Sequence, residues 1–117
     1  MTIDLGNTDL RLRIDCFSVP REARREFDAA MRRNLDFIRT LPGLREHLVF
    51  EKAGGSTAFD VVTIAVWESQ EAIDRAGERV RDHYRAIGFD LPAALARWKA
   101  RAEVGVFRAP GEPNEEP

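Results

Sequence analysis

Two histidines, His47 and His83, and one cysteine, Cys16, are the side chains of this sequence that titrate nearest neutral pH, so acid–base chemistry has few candidate carriers. His83 stands beside Tyr84. An imidazole with an ordinary pKa of about 6.5 suits the removal of a proton from a phenol or an acidic C–H. For His83 the plainer alternative is a surface or half-buried structural histidine, and His47, next to Glu46, is a weaker candidate for the same task. Two His and one Cys are too few for a tetrahedral zinc site without carboxylates from scattered positions, so no metal is expected. Trp67 closes the apolar run "FDVVTIAVW". Its ring serves as core, and its indole N–H could also donate to a phenolate or carbonyl oxygen at the mouth of a cleft. Arg11, Arg13 and Asp15 form a polar row. Either it is an ion-pair network at a sheet–sheet interface, with Glu103 as partner from a neighbouring strand, or it is an anion site with Arg13 as bidentate donor.

These residues need elements to hold them. "LRLRIDCF" at 10–17 alternates strictly, with Leu10, Leu12, Ile14 and Cys16 on one face and Arg11, Arg13, Asp15 and Phe17 on the other, which predicts a strand. Cys16 thus falls on an apolar row and reads as a small core residue rather than a nucleophile. Ser18 and Pro20 start a helix whose inner stripe is Ala23, Phe27, Ala30, Met31, Asn34, Ile38 and Leu41, ended by Pro42-Gly43. "LREHLVFEK" is a second strand, "AGGST" a turn, and a third strand opens at Phe59. Ser69 caps a second long helix with the stripe Ala72, Ile73, Ala76, Val80, Tyr84 and Ile87, which Gly88 ends. A short helix over "PAALARWK" and a fourth strand at 102–108 complete the order βαββαβ, which is ferredoxin-like, with two main helices on one face of a four-stranded antiparallel sheet.

The third strand is apolar on both sides, Val62, Ile64 and Val66 on one and Phe59, Val61, Ala65 and Trp67 on the other. The chain's own helices cover one side only. Burying the second at roughly 25 cal/mol per Å² favours a face-to-face homodimer. Composition agrees with a single small domain: 117 residues, 44% hydrophobic and 32% charged, with a formal net charge of -2. The two signs are interspersed, so no nucleic-acid partner is expected, and no segment nears the roughly 20 apolar residues of a membrane span. The lone cysteine excludes an internal disulfide, and a cytoplasmic location is the default expectation. Residues 1–9 read as an extension, 10–108 as the domain, and 109–117, "APGEPNEEP", as a disordered acidic tail.

The apolar third strand running into "VWESQEA", inside this order of elements, resembles the antibiotic biosynthesis monooxygenase (ABM) family over about residues 10–108. The resemblance implies a dimeric α+β barrel with a ligand cleft between the sheet and helices of each subunit. It also implies cofactor-free oxygenation, although the superfamily includes haem-degrading enzymes, isomerases, decarboxylases and members without known activity. In oxygenases of aromatic polyketide anthrones the functional set is an Asn four positions before the motif Trp, that Trp, a Tyr six positions after it, and a later Arg. Trp67 matches, Thr63 stands at the Asn position, Ile73 at the Tyr position, and Arg85 or Arg81 supplies the Arg. The haem-degrading pattern is not met: Ala76 takes the place of its second Trp, its first-strand Asn is missing, and only His83 lies near its axial-ligand position. The expectation is therefore a cofactor-independent oxygenase of a small aromatic or polyketide-like compound. His83 would be the base, Trp67 and Thr63 would hold the anion, Arg85 would lower its energy, and Arg13, Tyr84 and Ile73 would border the ligand. The competing expectation is a non-catalytic small-molecule-binding or stress-response module built on the same cleft.

Overall fold

The computed structural model describes residue 4 and residues 6–111. Residues 1–3 and 5 of the expected extension, and 112–117 of the expected tail, lie outside the described residues. Ala109, placed at the start of that tail, is buried.

The chain runs β1 (Arg11–Ser18), a 3-10 turn (Arg21–Ala23), α1 (Arg24–Ile38), β2 (Leu44–Glu51), β3 (Val61–Trp67), α2 (Gln70–Ile87), α3 (Leu91–Trp98) and β4 (Arg101–Phe107). The helix ends follow local chemistry. Pro20 sets the extended turn into α1 with its fixed φ of -60°. Ser69 Oγ accepts from the Ala72 N–H at 3.0 Å, and Gly88 closes α2 in the left-handed region at φ 69°. Asp90 caps α3, with Pro92 in its first turn. Gly43, at φ 89°, is required where β2 begins. A Cβ there would sit 2.6 Å from Ala72 Cβ, so only glycine lets the strand start against the first turn of α2.

The four strands form an antiparallel sheet in the order β2-β3-β1-β4, the ferredoxin-like arrangement that the element order predicts. Register assigns the faces, because directly paired residues share one. Val61, Thr63, Ala65 and Trp67 of β3 pair with Phe17, Asp15, Arg13 and Arg11 of β1, and Ala65 also pairs with His47 of β2. This is the face that α1, α2 and α3 cover. Its core lies in two clusters, one built on Phe17, Val61, Phe27, Ala94 and Trp98, the other on Leu41, Ala65, Trp67, Ala72 and Ala76.

Three expectations are corrected by this register. The Arg13 and Asp15 row faces the helices and not a second sheet. Glu103 pairs with Cys16, so it lies on the opposite face and does not partner them. Phe59 precedes β3 and belongs to neither row. Arg11 is a tie: its Nε donates to Gln70 Oε1 at 2.9 Å and its Nη1 to the Thr8 carbonyl at 2.7 Å, binding the segment before β1 to the start of α2.

Candidate functional site

Between the sheet and the helices lies a cavity of about 550 Å³, within the usual range for small-molecule sites. Phe17 of one core cluster and Ala65, Trp67 and Ala76 of the other border it. Where a packed core would carry Leu or Ile, this face has Ala65, Ala76 and Gly77. Their short side chains leave the space.

The polar residues of the wall come from the three strands β1, β2 and β3 and from the helices α1 and α2. β1 supplies Arg13 and Asp15, which hold each other: Arg13 Nε lies 3.0 Å from Asp15 Oδ1, and Nη2 lies 3.3 Å from Oδ2. Asp15 thus fills the Nε–Nη2 edge of the guanidinium, so a ligand anion held by two points on Arg13 would have to use the Nη1–Nη2 edge. β3 supplies Thr63 and Trp67. Among the described residues Thr63 is one of two buried polar ones, and Trp67 is only 3% exposed, with its indole Nε1 buried and without a hydrogen-bond partner there. β2 supplies His47, whose Nδ1 is likewise buried and unpartnered. Burial lowers the pKa of His47, Arg39 lowers it further, and Asp15 opposes them, so the ring is neutral at neutral pH. α1 supplies Asn34, 2% exposed, whose Nδ2 is the third buried polar atom without a partner among the residues that line the cavity.

The stripe of α2 presents Ile73, Gly77, Val80, Arg81, Tyr84 and Arg85 to the cavity. Tyr84 packs edge-on against Phe89 with centroids 5.1 Å apart, and burial raises its pKa, so its phenol stays protonated. Arg85 is at the mouth, where its exposed guanidinium pairs with Asp82 at 3.3 Å.

Six of the seven site residues read from the sequence, Trp67, Thr63, Arg85, Arg13, Tyr84 and Ile73, therefore line one cavity. His83 does not. It falls about 100° round α2 from Tyr84, toward α1, where its ring stacks on Phe37 with centroids 3.8 Å apart and planes within 3°. The cavity's imidazole is His47, the candidate the sequence ranked second. Asn34 went unnoticed as a site residue; the signal for it was a carboxamide in an otherwise apolar helical stripe. Among the described residues no group of three or more His, Cys, Asp or Glu is placed to hold a metal ion. Among them, too, no helix is long and apolar enough to cross a membrane.

The family model for antibiotic biosynthesis monooxygenase matches residues 14–87, well over half of the chain. The chain belongs to the antibiotic biosynthesis monooxygenase family. Among solved structures it is similar to SnoaB, a cofactor-independent oxygenase from Streptomyces nogalater, at 25% identity and a TM-score of 0.64, covering 92% of this chain and 99% of that one. It is also similar in fold to Rv0793 from Mycobacterium tuberculosis, at 23% identity and a TM-score of 0.65, over 90% of this chain and 99% of that one. A conserved protein from Methanosarcina mazei shares the fold at 16% identity and a TM-score of 0.64, over 87% and 95% of the two chains. Curated protein sequences give no match. The matched residues of the family model span β1 to the end of α2 and so contain the orphaned atoms of Asn34, His47 and Trp67.

Proposed function

We propose that this chain is a cofactor-independent monooxygenase that acts on an electron-rich aromatic or polyketide-like compound in the 550 Å³ cavity. The observation that carries the proposal is the set of three buried polar atoms, on the cavity-lining residues Asn34, His47 and Trp67, that have no hydrogen-bond partner among the described residues. Leaving such atoms unpaired in a core costs stability, and a ligand that pairs them recovers it.

His47, neutral and buried, takes the proton from the activated C–H or hydroxyl of the substrate, the part first expected of His83. The Trp67 indole N–H and the Thr63 hydroxyl hold the oxygen on which charge then develops, and Arg81 and Arg85 at the mouth lower the energy of the anion. A resonance-stabilised carbanion gives one electron to O2, and the two radicals combine at carbon as a peroxide. Loss of water leaves a carbonyl. One oxygen atom stays in the product, and the other leaves as water with the two hydrogens of the former CH2. The working form is a homodimer joined through the uncovered sheet face, where Phe50 and Phe107 are 53% and 54% exposed.

A second reading, a binding or stress-response module without turnover, has one observation in its favour: Ile73 lines the cavity where the anthrone oxygenases carry a tyrosine. Oxygen uptake with a panel of hydroxylated aromatics decides between them. Uptake above the protein-free rate supports the enzyme, and background uptake alongside measurable ligand binding leaves only the module.

A further inference from the structure

Asn34 is out of place in a core. It shares its helical stripe with Phe27, Ala30, Met31 and Ile38, it is 2% exposed, and its Nδ2 has no hydrogen-bond partner among the described residues. Its orientation is set by Arg33, whose Nε lies 3.4 Å from Asn34 Oδ1 while its guanidinium rests over the Phe89 ring at 4.8 Å. A guanidinium only donates, so the atom facing it is the amide oxygen. The NH2 is therefore the free group, and it belongs to a residue of the cavity wall. An apolar residue of similar size would fill the same stripe without leaving a donor unpaired, so packing gives no reason for a carboxamide here.

We propose that Asn34 is a substrate-holding residue, its Nδ2–H donating to the carbonyl oxygen of an aromatic ketone bound in the cavity. The assignment rests on reading the cavity as a site for oxidisable aromatic compounds. It adds a chemical requirement to that reading: the bound compound carries a carbonyl oxygen. An N–H donor to that oxygen binds the ketone in preference to a hydrocarbon of the same shape. Helix α1 thus supplies a carboxamide to a site whose β3 carries Thr63 at the position where the anthrone oxygenases have asparagine.

The test compares two ligands of the same ring skeleton, anthrone and dihydroanthracene, of which only the first has the oxygen. Dissociation constants are measured under nitrogen for the wild type and for Asn34→Leu. The expected result is that Asn34→Leu weakens anthrone by about tenfold or more, leaves dihydroanthracene within about twofold, and melts at or above the wild-type temperature. If the Leu variant does not fold, Asn34→Ala is read in the same way, by the ratio of the two ligands. A wild type that favours anthrone, with a variant that favours it equally, overturns the assignment alone. A wild type that binds the two ligands alike also overturns it. A wild type that binds neither ligand overturns the aromatic reading of the cavity and this assignment with it.

Discussion

The two faces of the single sheet follow opposite rules. The face without helices carries Leu12, Ile14 and Cys16 of β1, Val62, Ile64 and Val66 of β3, Leu48 and Phe50 of β2, and Phe107 of β4, an apolar centre bordered by the charges of Glu46, Arg101 and Glu103. The face that α1, α2 and α3 cover looks less like a core: its centre holds Arg13, Asp15, Thr63 and His47 around small residues. Covering therefore does not track hydrophobicity here. The helices enclose the polar face because a cavity with paired and unpaired polar groups has to be walled off from water, whereas the apolar face calls for a second apolar surface, the part that the proposed dimer gives to another copy of the chain.

The largest effect should come from placing a charge on the helix-free row of β3, set against a neutral change on its cavity row. Val66, on the helix-free face, is 2% exposed. Val66→Asp should cost about 3–5 kcal/mol in denaturant unfolding, as an unpaired buried charge does. Thr63→Val, on the cavity row of the same strand, should change stability by about 1 kcal/mol or less while weakening ligand binding. Near-native stability in Val66→Asp would break the comparison at its root, since it would place that row in water.

Next in size is assembly. Sedimentation at micromolar concentration should give twice the 13.3 kDa chain mass. Ile64→Lys, at the centre of the helix-free face, should raise the dimer dissociation constant by about a hundredfold or more, corresponding to roughly 3 kcal/mol. A wild type that sediments as one chain would leave the apolar face without the role argued for it.

A smaller effect sharpens the contrast on the cavity side. The Trp67 ring is part of the second core cluster, yet its Nε1 finds no partner in the protein. Trp67→Phe keeps most of the ring and removes the donor. Ligand affinity or turnover should fall about tenfold or more, roughly 1.5–3 kcal/mol, with the melting temperature almost unmoved. Equal losses in stability and affinity would return the indole to a packing role.

Much of this was legible in the sequence, and the reasons differ by residue. The order of elements, the Ser69 cap and the Gly88 stop depend on local rules, and the helices end where those rules place them. The apolar third strand announced that one of its rows needed a cover beyond the helices. Which row that was depended on register: alternation in β1 shows that Arg13 and Asp15 share a side, but only pairing with Ala65 and Thr63 turns that side toward α1 and α2. His83 was preferred over His47 because it neighbours Tyr84 in sequence. A helix separates neighbours by about 100°, enough to carry His83 out of the cavity and onto Phe37. His47 reaches the cavity through a β-bulge between Leu44 and Glu46 that shifts the register of β2 against β3, and no local pattern in "LREHLVFE" predicts that shift.

The smallest effect concerns protons, and it separates the two histidines. Burial depresses the native pKa of His47 below its ordinary value of 6.5, with Arg39 adding to the effect and Asp15 opposing it. Between the native value and 6.5 the unfolded chain binds the proton and the folded chain does not. Stability therefore rises with pH across that window, is level above 6.5, and is lost as pH falls through the native pKa. If His47 is also the base, turnover follows the same limb, since only the neutral ring accepts a proton. His47→Gln should flatten the stability slope below about pH 6.5 and abolish turnover. His83→Gln, which gives up only the ring stacked on Phe37, should keep the slope and leave the acid limb of turnover in place. The measurement is a set of denaturation curves and initial rates at closely spaced pH for the three proteins. A slope that vanishes with His83 and survives the loss of His47 would reverse the two assignments and put the base on the ring stacked on Phe37, which is not among the residues lining the cavity.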